Sequence, residues 1–307
     1  MIGIIAKKYL SEKNFNKLRE LKYRLYCLSK GWTFKKNKAN YEIVINNCRF
    51  IFAKHDIFAV KYIPTISNLI KPKTKYVNLT RHFYIYINNY RIKSDLYATE
   101  FDYAIKKYNL EYPLKMGDVI LDVGAYHGVY SFYALDRIGP SGLIYAFEPD
   151  PKNYKILIEN IKRNKIKNII PIKKALFNKT GVQKFVISEG AGSSIYQNEH
   201  SLNGDSLENK VIITIPTISF TDFIKKYKVK NINFVKMDCE GSEIEICEDY
   251  LKNIYPKIKT NFAIASYHNR CDYKSKTAPI IEKQFIKKKS YNIITKNYHL
   301  TTYITNI

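Results

Sequence analysis

No stretch of this chain approaches the roughly 18–20 consecutive apolar residues that a membrane-spanning helix needs, although 46% of its 307 residues are hydrophobic. A packed core is therefore within reach and a spanning helix is not expected. The opening MIGIIAKKYL is too short and too soon charged for a secretory apolar region, so a soluble, cytoplasmic protein is expected. Cysteine is scarce: Cys27, Cys48, Cys239, Cys247 and Cys271 are odd in number, scattered, and form no C-x-x-C. That excludes a disulfide framework and fits free thiols in a reducing compartment. The histidines lack a spacing such as H-x-x-x-H, so no metal site is expected. Acidic residues are the other shortage, 27 against 51 basic ones, for a net charge of +24. Only eight of the basic residues are arginine. Base reading in nucleic acids leans on the arginine fork, so the excess reads as diffuse solvated charge in a chain rich in Lys, Ile, Asn and Tyr. Such charge attracts anionic surfaces, acidic glycans or nucleic acid.

The excess is concentrated in residues 1–112, which hold 22 basic and 8 acidic residues. They read as an N-terminal basic α+β extension. Periodic Phe15, Leu18, Leu21, Leu25 and Leu28 predict a helix over 12–29. Hairpins are expected over 41–53, around Asn46-Asn47, and over 84–92, around Asn88-Asn89, because Asn tolerates the positive φ of such turns. A helix over 97–108 would lead to a boundary at Pro113 and a main domain over 113–307.

In that domain the stretch VILDVGAYHG, residues 119–128, reads as a buried strand and a glycine loop, and 129–138 as the helix that follows, the front half of a nucleotide-type βαβ unit. Asp122 at the loop's mouth suits a ligand with positive charge, such as the ammonium and sulfonium of S-adenosyl-L-methionine (SAM), better than a pyrophosphate, which backbone amides hold. The candidate cofactor contacts in the loop are Asp122, Gly124, Ala125, Tyr126 and Gly128, with His127 facing solvent. Further strands are expected over 142–147, 169–172, 232–237 and 258–265. The helices expected are 152–164, 219–227, 242–251 and 279–288. A hairpin-like excursion joins 182–187 to 211–215 through a loop over 188–210. The last two strands, 291–295 and 300–304, lie too close in sequence for anything but antiparallel pairing. The outline is α/β: a mostly parallel, Rossmann-like sheet closed by a C-terminal antiparallel hairpin.

Glu148 ends the second strand, twenty residues after Gly128, where a carboxylate can accept both hydroxyls of an adenosine ribose. Pro149 follows it, and Ala175-Leu176 would supply an apolar wall for adenine. In FVKMDCEGSE, residues 234–243, strand alternation puts Lys236, Asp238 and Glu240 on one face. Ionisable residues in a doubly covered strand are costly unless they stand at the open carboxyl edge where ligands bind. His268 falls on the same edge. The combination of DVGAYHG, FEPDPKNY, KALFNKTGVQKF with the following GSS, and KMDCEGSE resembles the FkbM family of SAM-dependent methyltransferases. The resemblance covers about residues 116–268. It implies a class I methyltransferase fold and methyl transfer to an oxygen, often a hydroxyl of a sugar or secondary metabolite. It makes Asp122, Gly124 and Gly128 loop residues, Glu148 the ribose acid, and Asp238 and Glu240 active-edge acids. Asp238, then His268, then Glu240 is the order in which a base is expected, with Lys236 tuning it by charge. Two alternatives stand beside this: an RNA methyltransferase holding phosphates with residues 1–112, and a non-catalytic binding protein with a structural SAM pocket.

Overall fold

The computed structural model describes residues 12–36, 40–45, 48–53, 60, 63–69, 74–79, 82–95, 107–188, 192–197, 200–201, 210–270, 272–296 and 300–307. The chain divides into one compact unit of residues 1–86 and 93–100 and a second of 87–92 and 101–307.

In the first unit, strands Thr33–Lys36, Asn40–Ile45, Cys48–Ala53 and Tyr76–Asn78 form a four-stranded sheet in that order. The expected 41–53 hairpin is present, with Tyr41 opposite Phe52, while its turn at 46–47 lies outside the described residues. The helix Glu12–Ser29 also forms, but Leu18, Leu21, Leu25 and Leu28 are all exposed, while Cys27 is buried. The expected 97–108 helix falls almost wholly outside the described residues.

The second unit is built on one seven-stranded sheet. Its strands are Val119–Val123 (β1), Leu143–Phe147 (β2), Ile169–Ile172 (β3), Phe234–Met237 (β4), Asn261–Ala265 (β5), Tyr291–Lys296 (β6) and Thr301–Asn306 (β7), in the order β6-β7-β5-β4-β1-β2-β3. The five strands β1 to β5 pair in parallel, and β7 runs antiparallel to both β5 and β6. This is the class I methyltransferase arrangement. Helices Val129–Ile138 (α1), Pro151–Arg163 (α2), Phe220–Tyr227 (α3), Glu243–Asn253 (α4) and Thr277–Phe285 (α5) belong to the same unit. Asp150 caps α2 by accepting from the amides of Lys152 and Asn153, with Pro151 at the first helical position. Leu121, Val123, Phe147, Val235, Met237 and Ile264 from the central strands pack with Phe223, Ile246, Tyr250 and Phe285 into one core.

Strand order reverses between β1 and β4. In open α/β sheets a crevice opens beyond the carboxyl ends of the strands at such a point, and Gly124 and Asp238 are the residues that follow these two strands. The expected loop over 188–210 is only partly a loop: Ser194–Gln197 and His200–Ser201 are strands of a second sheet with Ala175–Phe177, Gly181–Ile187 and Val211–Ser219. Among the described residues no helix is long and apolar enough to cross a membrane.

Candidate active site

The loop after β1 owes its course to two glycines. Gly124 has φ 76°, and a Cβ on it would overlap the backbone carbonyl oxygen of Asp238. The first turn beyond β1 can lie against the end of β4 only because residue 124 has no side chain. Gly128, at φ 88°, sits where a Cβ would come 2.7 Å from Leu157 Cδ1, so it lets α1 start close to α2. The amides of Gly124 and Ala125 donate to the carbonyl of Phe147 at 3.1 and 2.9 Å. Replacing Gly124 by Ala forces a left-handed residue and a backbone displacement together. It is expected to cost about 3 kcal/mol, read as a fall in the midpoint of urea unfolding at unchanged slope.

Glu148 ends β2 beneath this loop. Its Oε2 accepts from the Tyr126 amide at 2.7 Å and its Oε1 from the Asp150 amide at 2.8 Å. Burial pushes its carboxyl up to about 8, against the two amides that favour the ion. Half-buried Pro149 follows it. His127 does not face solvent as expected: it is fully buried, its ring stacked 3.8 Å from that of Tyr126 and its carbonyl accepting from Asn160 Nδ2 at 2.9 Å. The left-handed Tyr126, at φ 52°, precedes it.

Asp122 does not stand open at the loop's mouth either. It is fully buried, with Ser131 Oγ donating to Oδ2 at 2.6 Å and Lys236 Nζ 3.1 Å from Oδ1. Lys236 also donates to the carbonyl of Gly124 at 2.7 Å. Burial alone would lower the Lys236 ammonium, but the Asp122 and Asp238 carboxylates hold it above its usual value. The pair therefore ties the ends of β1 and β4 together from below. Strand alternation does not carry through to Glu240, because β4 ends at Met237 and Glu240 sits in the following turn at φ 56°.

Asp238, Glu240 and His268 do come together. Asp238 Oδ2 accepts from the Tyr108 hydroxyl at 2.8 Å and Oδ1 from the Tyr267 hydroxyl at 3.2 Å. His268 Nε2 lies 3.4 Å from Asp238 Oδ1 and 3.5 Å from Glu240 Oε1, and Nδ1 lies 2.9 Å from Glu243 Oε1. Burial would raise the Asp238 carboxyl, yet Lys236, His268 and Lys107 hold it below the usual range. Burial would lower His268, yet Glu243 and Glu240 hold its imidazole well above the usual value. Tyr108 is raised by its burial and Tyr267 by Asp238's charge, so both remain neutral donors. Cys239 packs against the core, its amide donating to Glu243 Oε1. Ala175 and Leu176 are both buried.

Sequence reasoning missed Tyr108, Lys107, Tyr267 and Glu243. Tyr108 and Lys107 lie within residues 1–112, yet both bond to the second unit: Tyr108 to Asp238, and Lys107 through its carbonyl, which accepts from the Tyr303 hydroxyl at 2.7 Å. No local signal marks Tyr108, one of 27 tyrosines. Glu243 lies in the first turn of α4, where any acid is favourable, so its type and place do not point to a partner. The buried Arg270 is braced by paired contacts to Glu245 and Asp272 and donates to the Gly241 carbonyl, holding the turn after β4.

Residues 122–299 match the methyltransferase FkbM domain. Over 166 residues the chain is 28% identical to hexuronic acid methyltransferase AglP of Haloferax volcanii, which is 54% of this chain and 62% of that protein. The chain thus spans about three-fifths of the length of this curated relative. Methyltransferase FkbM of Methylobacillus flagellatus KT is similar with a TM-score of 0.43 at 15% identity, over 81% of this chain and 60% of that one. Aeropyrum pernix fibrillarin, solved with natively bound SAM, is similar with a TM-score of 0.41 at 14% identity, over 90% and 98%. The family match spans more than half of the sequence, from Asp122 in β1 to the β6–β7 connection, and on that ground the chain belongs to the FkbM methyltransferase family.

Proposed function

We propose that this protein transfers a methyl group from SAM to a hydroxyl of a sugar or glycan acceptor. One observation carries the reading: the glycine loop after β1 lies directly against the Asp238 backbone, so a donor held by the loop and an acceptor at the acid cluster would be neighbours. Family membership and the hexuronic acid named for the Haloferax volcanii relative support the substrate class.

The residues present fit the donor. Each Glu148 oxygen accepts one amide, and a carboxylate offers about four lone-pair sites, which leaves acceptors for two ribose hydroxyls. Gly124, Ala125 and Tyr126 would line the donor on the loop side and Pro149 beside the ribose, with Ala175 and Leu176 toward adenine. When bound, SAM supplies a methyl carbon activated by its sulfonium. The chain's own contribution is alignment, worth several kcal/mol in an in-line displacement, and handling of the acceptor's proton. Asp238, held ionised beside the loop, is first in line to take that proton; His268 and Glu240 stand behind it. Lys236 keeps the charge of Asp238 in place.

Incubation with methyl-labelled SAM and a panel of neutral glycans, uronic-acid glycans, glycolipids and RNA tests the proposal. Label is expected in a glycan or glycolipid fraction, in an alkali-stable ether. Label in RNA, or no uptake while SAM binds, would overturn it.

Glu148 makes donor binding depend on pH. Its carboxyl stays protonated in the folded chain up to about pH 8, and only the ion can accept from both ribose hydroxyls. Affinity for S-adenosylhomocysteine is therefore expected to rise with pH and to level off above pH 8, roughly tenfold per unit below that point. The same group binds more protons folded than unfolded between its ordinary value near 4.5 and about 8, so its contribution to stability falls as pH rises through that window. Calorimetric titration of wild type and Glu148→Gln from pH 6 to 9 checks the first expectation. An equal slope in both proteins would refute it.

A further inference from the structure

Three carboxylates crowd one imidazole at the end of β4 and β5. The His268 side chain is 3% exposed, and among the described residues its Nε2 makes no directed hydrogen bond. Its Nε2 points between Asp238 Oδ1, at 3.4 Å, and Glu240 Oε1, at 3.5 Å. The donor atoms of Asp238, Glu240 and His268 all lie within 4.8 Å of one another. Ligands about 2.1 Å from a shared ion stand on the order of 3.0–3.4 Å apart in octahedral or tetrahedral geometry, so the cluster needs little closure to converge on one point. On the other side of the ring Glu243 Oε1 lies 2.9 Å from Nδ1. A carboxylate behind a histidine is the usual device for aiming its free nitrogen at a metal.

Charge points the same way. Lys236 is committed to Asp122. Lys107 also bears on Asp238, its ammonium lying 4.9 and 5.5 Å from the ring centres of Tyr108 and Tyr267. A dication would take the place of the proton that the three surrounding carboxylates otherwise hold on the imidazole. The tyrosine hydroxyls on Asp238 fit as well, since ligating carboxylates are themselves hydrogen-bonded.

From these contacts we infer that Asp238, Glu240 and His268 form a binding site for one divalent cation, with Glu243 orienting the imidazole. One nitrogen and two carboxylate oxygens suit a cation of the Mn²⁺ kind, and three protein ligands leave coordination positions for acceptor oxygens. Such an ion would acidify an acceptor hydroxyl and ease loss of its proton to solvent or base. The inference deepens the methyl-transfer reading of this site and rests on it for that last role only. Spacing in the sequence could not reveal the site, because its ligands come from the ends of two different strands.

The full-length protein, stripped with EDTA and desalted, is titrated with Mn²⁺ while free ion is followed by electron paramagnetic resonance. Wild type is expected to take up one ion per chain. Asp238→Asn, His268→Gln and Glu240→Gln are each expected to weaken uptake at least tenfold, and Glu243→Gln about 10–100-fold. Glu240, with a side chain 17% exposed, lies at the more open edge, so Glu240→Gln carries the test if a buried variant misfolds. No saturable uptake by the wild type, or uptake unchanged in Glu240→Gln, overturns the site. Binding of S-adenosylhomocysteine is measured in parallel without metal. Its failure alone counts against the methyl-donor reading, and failure of Mn²⁺ uptake alone counts against the cation site.

Discussion

Lys236→Met is expected to destabilise the protein by about 3–5 kcal/mol, the cost of leaving a buried charge without its partner. Asp122 is fully buried, and among the described residues its Oδ1 has only the Lys236 ammonium, 3.1 Å away, to meet its charge. Ser131 serves the other oxygen with a neutral hydroxyl. Lys236 also donates to the Gly124 carbonyl, so its loss releases the glycine loop where the donor is proposed to bind. At about 2–4 °C per kcal/mol for a domain of this size, the melting temperature should fall by roughly 6–20 °C in scanning calorimetry. Adding Asp122→Asn removes the uncompensated charge and should recover part of the loss, a coupling that a double-mutant cycle measures directly. A melting temperature within about 2 °C of wild type for Lys236→Met would show that the pair is not what ties β1 to β4.

Asp238→Asn should lower turnover by about 10²–10⁴-fold, the range for removing a positioned base. Folding and affinity for S-adenosylhomocysteine should change little. The amide keeps the shape of the carboxylate, and both tyrosine hydroxyls can still pair with it, one as donor to its oxygen and one as acceptor from its nitrogen. Initial rates at saturating donor, compared with the thermal midpoint of the same preparation, separate a chemical defect from a structural one. Near-normal turnover would overturn the role of Asp238. It would instead favour a carboxylate acceptor, whose oxygen carries no proton to remove.

Much of the sheet was legible because its signals are local. The apolar run at 119–121, Gly124 and Gly128 mark a strand, a turn and a helix through side-chain period and backbone freedom alone. Glu148 follows from strand length, since a residue just past a buried strand must lie on its carboxyl edge. The pairing of β6 with β7 follows from the few residues between them. Other readings failed for an equally physical reason. His127 belongs to a short turn and was read as exposed, yet the loop folds back onto Glu148 and α2 and buries it. The leucines of Glu12–Ser29 have helical spacing but lie outward, since periodicity marks a face without saying what covers it.

Hydrophobic period, glycine placement and strand length determined the fold and put Asp122, Glu148, Asp238 and His268 near one sheet edge, because each acts over a few residues. Which charges meet was decided only by the tertiary structure. Asp122 is taken up by Lys236 from a strand 114 positions on, and Asp238 is gripped by Tyr108 from 130 positions before it. Ion pairs and hydrogen bonds depend on separations of about 3 Å, and a one-dimensional pattern carries no such distance between residues so far apart.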